Sequence, residues 1–443
     1  MPPSMDSLLS DPAAAGLLER FGREAVKEAF RGAIAGGAAD PAEILAGGEG
    51  TLRERFTPSL RTAINATGVL LHTNLGRAPL SEEARAAVAA AAGGYSTLEY
   101  DRATGERGRR QDHVRAAACA LFGCEDSFAV NNNAAAVFLA LSALAGGRRV
   151  LISRGELVAI GGSFQIPAIL EASGARLAEV GTTNRTTIED YRRALTPDVA
   201  LLLTVHPSNY EIRGFTARPD PAELSKLSRE AGIPWLHDQG TGCVADLSDF
   251  GVPDEPTVAG CLRAGADVVT FSGDKLFGGP QAGIVVGRGD AVARLARHPV
   301  ARVVRPDKLT LAALGATLAA WQTGAWRRMP IYRAAAAPIA DLERRGEAIR
   351  ARTEGSGVRV GVVESLALFG GGTSPEKRFA SRALSVERPG RSADRLARDL
   401  RARDIPLVGR VEDDRLLLDL RSIAPEEDGL VVSALASLGA ASA

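Results

Sequence analysis

Thr270-Phe-Ser-Gly-Asp-Lys-Leu-Phe-Gly-Gly-Pro280 is the stretch from which the rest of the chain can be read. Its β-branched and aromatic lead-in, Val268–Ser272, predicts a strand, and the Ser-Gly-Asp-Lys turn with its glycine pair ends it. Lys275 therefore stands in a cramped loop just past a strand. A loop lysine alone is normally only solvated. One held in a glycine-rich turn suits an amine that must reach a carbonyl carbon and then move.

Three upstream motifs change the weight of that reading. Asn131-Asn-Asn-Ala-Ala-Ala-Val137 opens a helix after the short run Ser127–Val130. Free N–H groups at a helix start suit a phosphate, although asparagine there is also an ordinary N-cap. His206-Pro-Ser-Asn-Tyr210 follows a leucine-rich strand, where ligands sit in open α/β sheets; a plain turn is the alternative. In Leu236-His-Asp-Gln-Gly-Thr-Gly242, Asp238 ends a strand ahead of glycine turns. Its carboxylate would need a cationic partner if buried, and a protonated pyridine nitrogen is one. An Asx-turn would explain Asp238 if the motif stood alone. It does not: Asp238 precedes Lys275 by about forty residues, after an Asn-rich helix start. That order is what an aminotransferase-like pyridoxal-phosphate (PLP) fold requires, with Lys275 carrying the cofactor as a Schiff base.

From Arg61 to about Val286 short apolar runs alternate with alanine-rich stretches, the texture of βαβ units around a mainly parallel sheet. Strands are predicted at Arg149–Ser153, Ala200–Val205, Pro234–His237, Val268–Ser272 and Gly283–Val286. Helices are predicted at Ala134–Leu144, Gly162–Ser173 and Pro221–Ala231, and Leu309–Trp321 reads as a long helix leading out of this domain. Beyond it, strand-like Gly357–Val363 and Arg415–Asp419 flank a charged helix at Ser392–Arg403. Upstream, Leu8, Leu9, Leu17, Leu18, Phe21, Val26 and Phe30 recur at helical spacing, and Gly36-Gly37 and Gly47-Gly48 are read as breaks leading into a linker. The expectation is an α/β protein of the aminotransferase-like class (fold type I). It has a helical N-terminal domain (1–57), a PLP-binding large domain (58–325) and a small α+β C-terminal domain (326–443).

The 443 residues carry 53 basic and 53 acidic side chains, so the chain as a whole does not attract nucleic acid and any such binding needs local patches. An apolar content of 45% excludes a disordered chain. Cys119, Cys124, Cys243 and Cys261 show no CxxC spacing, and with no signal peptide they read as reduced thiols of a cytoplasmic protein. Cys243, beside the Asp238 motif, reads as packing. No apolar run is long enough to span a bilayer, and no metal-ligand pattern is present.

Several blocks resemble bacterial selenocysteine synthase, the L-seryl-tRNA(Sec) selenium transferase. They are Ile64-Asn-Ala-Thr-Gly-Val-Leu-Leu-His-Thr-Asn-Leu-Gly-Arg-Ala-Pro-Leu-Ser81, Tyr95-Ser-Thr-Leu-Glu-Tyr-Asp101 with Gly105–Arg110, Val205–Phe215, His237–Gly242 and Ser272–Gly283. The resemblance implies PLP-dependent β-elimination of water from seryl-tRNA(Sec), giving a dehydroalanyl-tRNA to which selenophosphate adds selenium. It implies Lys275 and Asp238 as catalytic residues, with Asp238 on the pyridine nitrogen. It implies Asn209 on the ring hydroxyl, and Asn132, Asn133 and Ala134 with Ser272 around the cofactor phosphate. Arg77, Arg302 and Arg305 would hold the selenophosphate anion, for which guanidinium groups are suited; His72 would help position the anion or a proton, or simply pack. A homodecamer, a pentamer of dimers, is implied as well.

The resemblance assigns tRNA binding to the N-terminal helices, yet acids outnumber the six basic residues Arg20, Arg23, Lys27, Arg31, Arg53 and Arg55 there. A phosphate footprint usually shows as net basic charge. The loop bearing Arg102, Arg107, Arg109, Arg110 and Arg115 is the better local candidate for a polyanion or a partner subunit. Two rivals share the site residues: a synthase-like PLP lyase acting on a free amino acid or sugar-acid phosphate, and a non-catalytic scaffold. The first has no need of the N-terminal helices, and the second none of the Lys, Asp and Asn motifs together.

Overall fold

A computed structural model describes residues 3–160, 164–371 and 373–440. Contacts divide the chain into two compact units, Met1–Thr62 and Ala63–Ala443. The first is all helical. Its two longest helices, α1 (Arg23–Ala35) and α2 (Pro41–Phe56), bury Val26, Phe30, Ile44 and Leu52 with Leu8 and Leu9 in one small core. Gly36-Gly37 ends α1 as expected, Gly37 taking a φ of 101°. Gly47-Gly48 does not break the pattern: α2 runs straight through it. The reason is packing. A Cβ at Gly48 would lie 2.4 Å from the Phe30 ring, so glycine lets the two helices approach. Arg23, Lys27, Arg53 and Arg55 pair with Asp6, Glu24, Glu49 and Glu28 within this unit.

The second unit is built on a seven-stranded sheet. Its strands are β1 (Asp126–Val130), β2 (Arg149–Ser153), β3 (Arg176–Val180), β4 (Val199–Val205), β5 (Trp235–Gly240), β6 (Val268–Ser272) and β7 (Gly283–Gly287). They lie in the order β1-β7-β6-β5-β4-β2-β3, and β7 alone runs against the rest. All seven residues of β4 are buried, as a leucine-rich strand covered on both faces must be. The expected helices appear as α3 (Asn133–Ala145), α4 (Ile166–Ala172), α5 (Pro221–Ala231) and α6 (Lys308–Gln322). The start predicted for α4, at Gly162, lies outside the described residues. Two cores fill the faces of the sheet, one around Phe271, Phe277 and Trp321, the other around Leu139, Leu141 and Leu203.

Beyond α6 an antiparallel sheet forms from β8 (Arg359–Gly370), β9 (Thr373–Glu387), β10 (Arg410–Glu412) and β11 (Arg415–Asp419), ordered β8-β9-β11-β10. Helices Ile339–Arg352, Ala393–Arg401 and Asp428–Ala440 supply the rest of its core. The β8–β9 hairpin is far longer than expected, because its arginine-studded second strand reads in sequence like solvated surface. Among the described residues no helix is long and apolar enough to cross a membrane.

One buried acid gives this fold a measurable pH signature. Glu156 is buried and accepts the Val205 N–H at 3.0 Å, and burial pushes its carboxyl up to about 7. The folded state thus holds this proton more tightly than the unfolded chain. The stability it contributes is complete below an ordinary glutamate pKa and is lost as pH rises through about 7. Glu156→Gln keeps an acceptor for Val205 and removes the titration. Denaturant melts should show wild type losing on the order of 2 kcal/mol relative to this variant between about pH 5 and pH 8.5; parallel pH curves would contradict the assignment.

Candidate active site

The site gathers where β1, β4, β5 and β6 deliver their carboxyl ends to one edge of the sheet. Asp238 leaves β5 beside Thr270 of β6 on one side and Val205 of β4 on the other. Its carboxylate is buried. Asn133 Nδ2 donates to Oδ1 at 2.8 Å and Thr270 Oγ1 donates to the same oxygen at 3.1 Å. Oδ2 takes no hydrogen bond among the described residues. Burial raises the Asp238 pKa, while Asn133 and then the nearby Lys275 charge pull it back. A carboxylate with one satisfied and one open oxygen, at the edge of a sheet, fits a cationic N–H donor from a ligand.

Lys275 is buried on the turn after β6. That turn is clamped at several points. Leu276 N–H donates to the Thr241 carbonyl at 2.9 Å, joining it to the loop after β5, and the Trp321 indole of α6 donates to the Phe277 carbonyl at 2.9 Å. A Cβ at Gly273 would lie 2.5 Å from the Pro280 carbonyl oxygen, so the tight turn needs glycine there. Burial, and then the Arg77 charge, lower the Lys275 pKa, favouring the neutral nucleophilic amine. Arg77 is held by Asp274 at 2.8 Å, and its backbone has a φ of 61°, uncommon for a residue with a side chain.

The start of α3 points at the same edge. Asn132 caps it, its side chain accepting the Ala135 N–H at 2.9 Å, and Ala134 sits in its first turn. A Cβ at Gly283 would lie 2.2 Å from the Asn132 carbonyl oxygen, so glycine lets β7 pass directly beneath the cap. Ser272 is buried at the end of β6. Asn209 donates to the Ala159 carbonyl at 3.0 Å, and its Oδ1 is buried without a partner. Asn133 Oδ1 and His72 Nδ1 are likewise buried and unpartnered. Orphaned polar atoms are rare in folded proteins. The three belong to residues proposed for the site from sequence, and with the open Asp238 oxygen they fit a polar cofactor such as PLP.

The predicted residues are not all drawn together. Lys275, Asp238, Asn133 and Arg77 are linked by hydrogen bonds or by their mutual fields. Arg305 instead lies 3.5 Å from Glu99, which also binds Arg107 at 2.8 Å and Arg110 at 2.5 Å. Arg302 is exposed. Their segment does border the helix start, because Asn131 N–H donates to the Val304 carbonyl at 2.9 Å. Cys243 packs, its thiol donating to the Ala245 carbonyl. Residues passed over in the sequence complete the site: Asp274, Thr270, and the buried Glu255, which lies 3.3 Å from His206 Nε2 without hydrogen-bonding geometry. Glu255 accepts Thr241 Oγ1–H at 2.6 Å. The adjacency of Asp274 to Lys275 was the one available signal.

A buried carboxylate and a buried lysine at the carboxyl ends of adjacent strands, in a mainly parallel sheet, define the aminotransferase-like class of PLP-dependent folds. Within that class, a family model described as L-seryl-tRNA selenium transferase matches residues 63–424, and one described as selenocysteine synthase N terminal matches residues 3–35. The L-seryl-tRNA(Sec) selenium transferase of Moorella thermoacetica is 50% identical over 89% of this chain and 85% of its own. That of Hyphomonas neptunium is 45% identical over 95% and 94%. The chain belongs to the L-seryl-tRNA selenium transferase family. A solved D-glucosaminate-6-phosphate ammonia-lyase shares the fold, with a TM-score of 0.61 and 20% identity over 88% of this chain and 98% of that one.

The coupling of Arg77 to Lys275 predicts a pH effect. When apo-protein is mixed with PLP across a pH series, the midpoint of cofactor capture should fall below that of a free lysine, and Arg77→Ala should move it upward. Visible absorbance checks this, and an unchanged midpoint would separate Arg77 from the Lys275 titration.

Proposed function

We propose that this chain converts L-seryl-tRNA(Sec) to L-selenocysteinyl-tRNA(Sec), using PLP held by Lys275 and selenophosphate as the selenium donor. The observation that carries the site assignment is the open oxygen of buried Asp238 beside buried, charge-depressed Lys275. Family membership supports the substrate.

When bound, PLP supplies an electron sink conjugated to the substrate's amino group. Asp238 would hold the ring nitrogen, its orientation fixed by Asn133 and Thr270. Asn209 would meet the ring hydroxyl through its unpartnered Oδ1, and the first turn of α3, with Ser272, would hold the phosphate. Lys275 Nζ would take the proton from the seryl Cα. It would pass that proton to the hydroxyl leaving Cβ, which departs as water; recharged with a proton from solvent, it would then protonate Cα once selenium has bonded Cβ, while water takes the phosphoryl group from that selenium. Arg77, held by Asp274 next to Lys275, would present its guanidinium to the selenium donor, with Arg302 and Arg305 contributing from beside the helix start. The N-terminal helices would engage the tRNA, within a ring of dimers.

The test incubates PLP-loaded protein with seryl-tRNA(Sec) and selenophosphate and analyses the aminoacyl group. Selenocysteine should form. Lys275→Ala should abolish it, with borohydride no longer fixing cofactor to the peptide that holds residue 275. Turnover of free amino acids or sugar-acid phosphates with no selenocysteine formed would instead make the chain a lyase.

A further inference from the structure

A cavity of about 670 Å³ opens at the carboxyl ends of β2, β3 and β4, on the same edge of the sheet as the lysine site, walled by Thr183, Arg185, Tyr210, Arg213, Arg218 and Lys377. Its floor includes Gly155. It adjoins the catalytic edge through the strands themselves. Glu156, next to Gly155, accepts the N–H of Val205, and Val205 is the register partner of Asp238 one strand away. The turn after β4 serves both sides: Pro207 and Tyr210 line the cavity, while His206 approaches Glu255 and Asp238.

The walls carry more positive than negative charge. Arg213 pairs with Glu211 at 2.8 Å, and Lys377 lies 3.8 Å from Asp254. Arg185 and Arg218 form no ion pair among the described residues, although both are exposed. The Arg185 guanidinium lies 5.1 Å from the centre of the Phe215 ring, and that ring is 77% exposed. An uncovered aromatic ring fixed by a guanidinium, next to a second unpaired arginine, suits a chain of phosphates that carries stacking bases.

An amino acid on tRNA is esterified to the 3′-terminal ribose, so placing its amine at Lys275 puts the last nucleotides just outside the site. We propose that this cavity receives the 3′-terminal nucleotides of the aminoacylated tRNA. Arg185 and Arg218 contact phosphodiester oxygens and Phe215 stacks a base. The assignment rests on the seryl-tRNA reading above and names the part of the substrate that this wall recognises. A free phosphate or selenophosphate shares the anion chemistry but has no base to stack, and the two sources separate experimentally.

The experiment uses the full PLP-loaded chain and its Arg185→Ala, Arg218→Ala and Phe215→Leu variants. Binding is measured to deacylated tRNA(Sec), intact or lacking its 3′-terminal nucleotides, across a salt series; KM is measured for seryl-tRNA(Sec) and for selenophosphate. Each variant should bind intact tRNA on the order of tenfold more weakly and truncated tRNA as wild type does, and each arginine lost should flatten the salt slope by about one. KM should rise for seryl-tRNA(Sec) alone, with kcat retained. Melting curves confirm folding, and Arg185→Lys and Arg218→Lys should recover much of the loss. Equal losses on both RNAs, no loss at all, or a rise confined to the selenophosphate KM would overturn the proposal. A wild-type chain that neither binds nor converts seryl-tRNA(Sec) would overturn the parent reading and the subsite with it.

Discussion

A carboxylate removed from water at the end of a strand is the constraint on which the rest of this structure turns. Asp238 is buried, yet its two hydrogen bonds fall on a single oxygen. Hydrogen-bonding only one oxygen of a largely buried carboxylate is costly, and the open oxygen leaves room for a cationic donor to complete the arrangement. The neighbouring strands fix what that ligand meets: Thr270 in register on one side, the turn carrying His206 and Asn209 on the other.

Lys275 meets the same demand from the opposite charge. Its turn is tied to the Asp238 loop by the Leu276–Thr241 hydrogen bond and to α6 by Trp321, so the amine is held buried rather than allowed to swing into solvent. Burial and Arg77 favour its neutral form, while Asp238 and Asp274 oppose them. The net effect lowers the Lys275 pKa, which favours an amine able to bond a carbonyl carbon and to accept a proton.

Much of this was legible in the sequence. Fully apolar runs such as Ala200–Val205 announced a covered parallel sheet, and the order of Asn, Asp and Lys motifs pointed to its carboxyl edge, where the structure gathers Asn133, Asp238 and Lys275 as a candidate site. What stayed hidden depended on side chains meeting across distant segments. Asn133 reads as a helix-start residue, but its amide reaches Asp238, over a hundred residues away. Gly47-Gly48 reads as a break, but Phe30 needs the space that glycine leaves. The three arginines around Glu99 come from two segments roughly two hundred residues apart. Local patterns fix elements; pairings of this kind become visible only once the chain is folded.

The electron sink at this edge depends on Asp238 keeping the cofactor's ring nitrogen protonated. Nitrogen NMR of the full chain loaded with PLP labelled with ¹⁵N in the ring reads that proton directly. The account predicts a pyridinium resonance in wild type that moves to the neutral-pyridine position in Asp238→Asn. A neutral nitrogen in wild type, or the same resonance in both proteins, would contradict it.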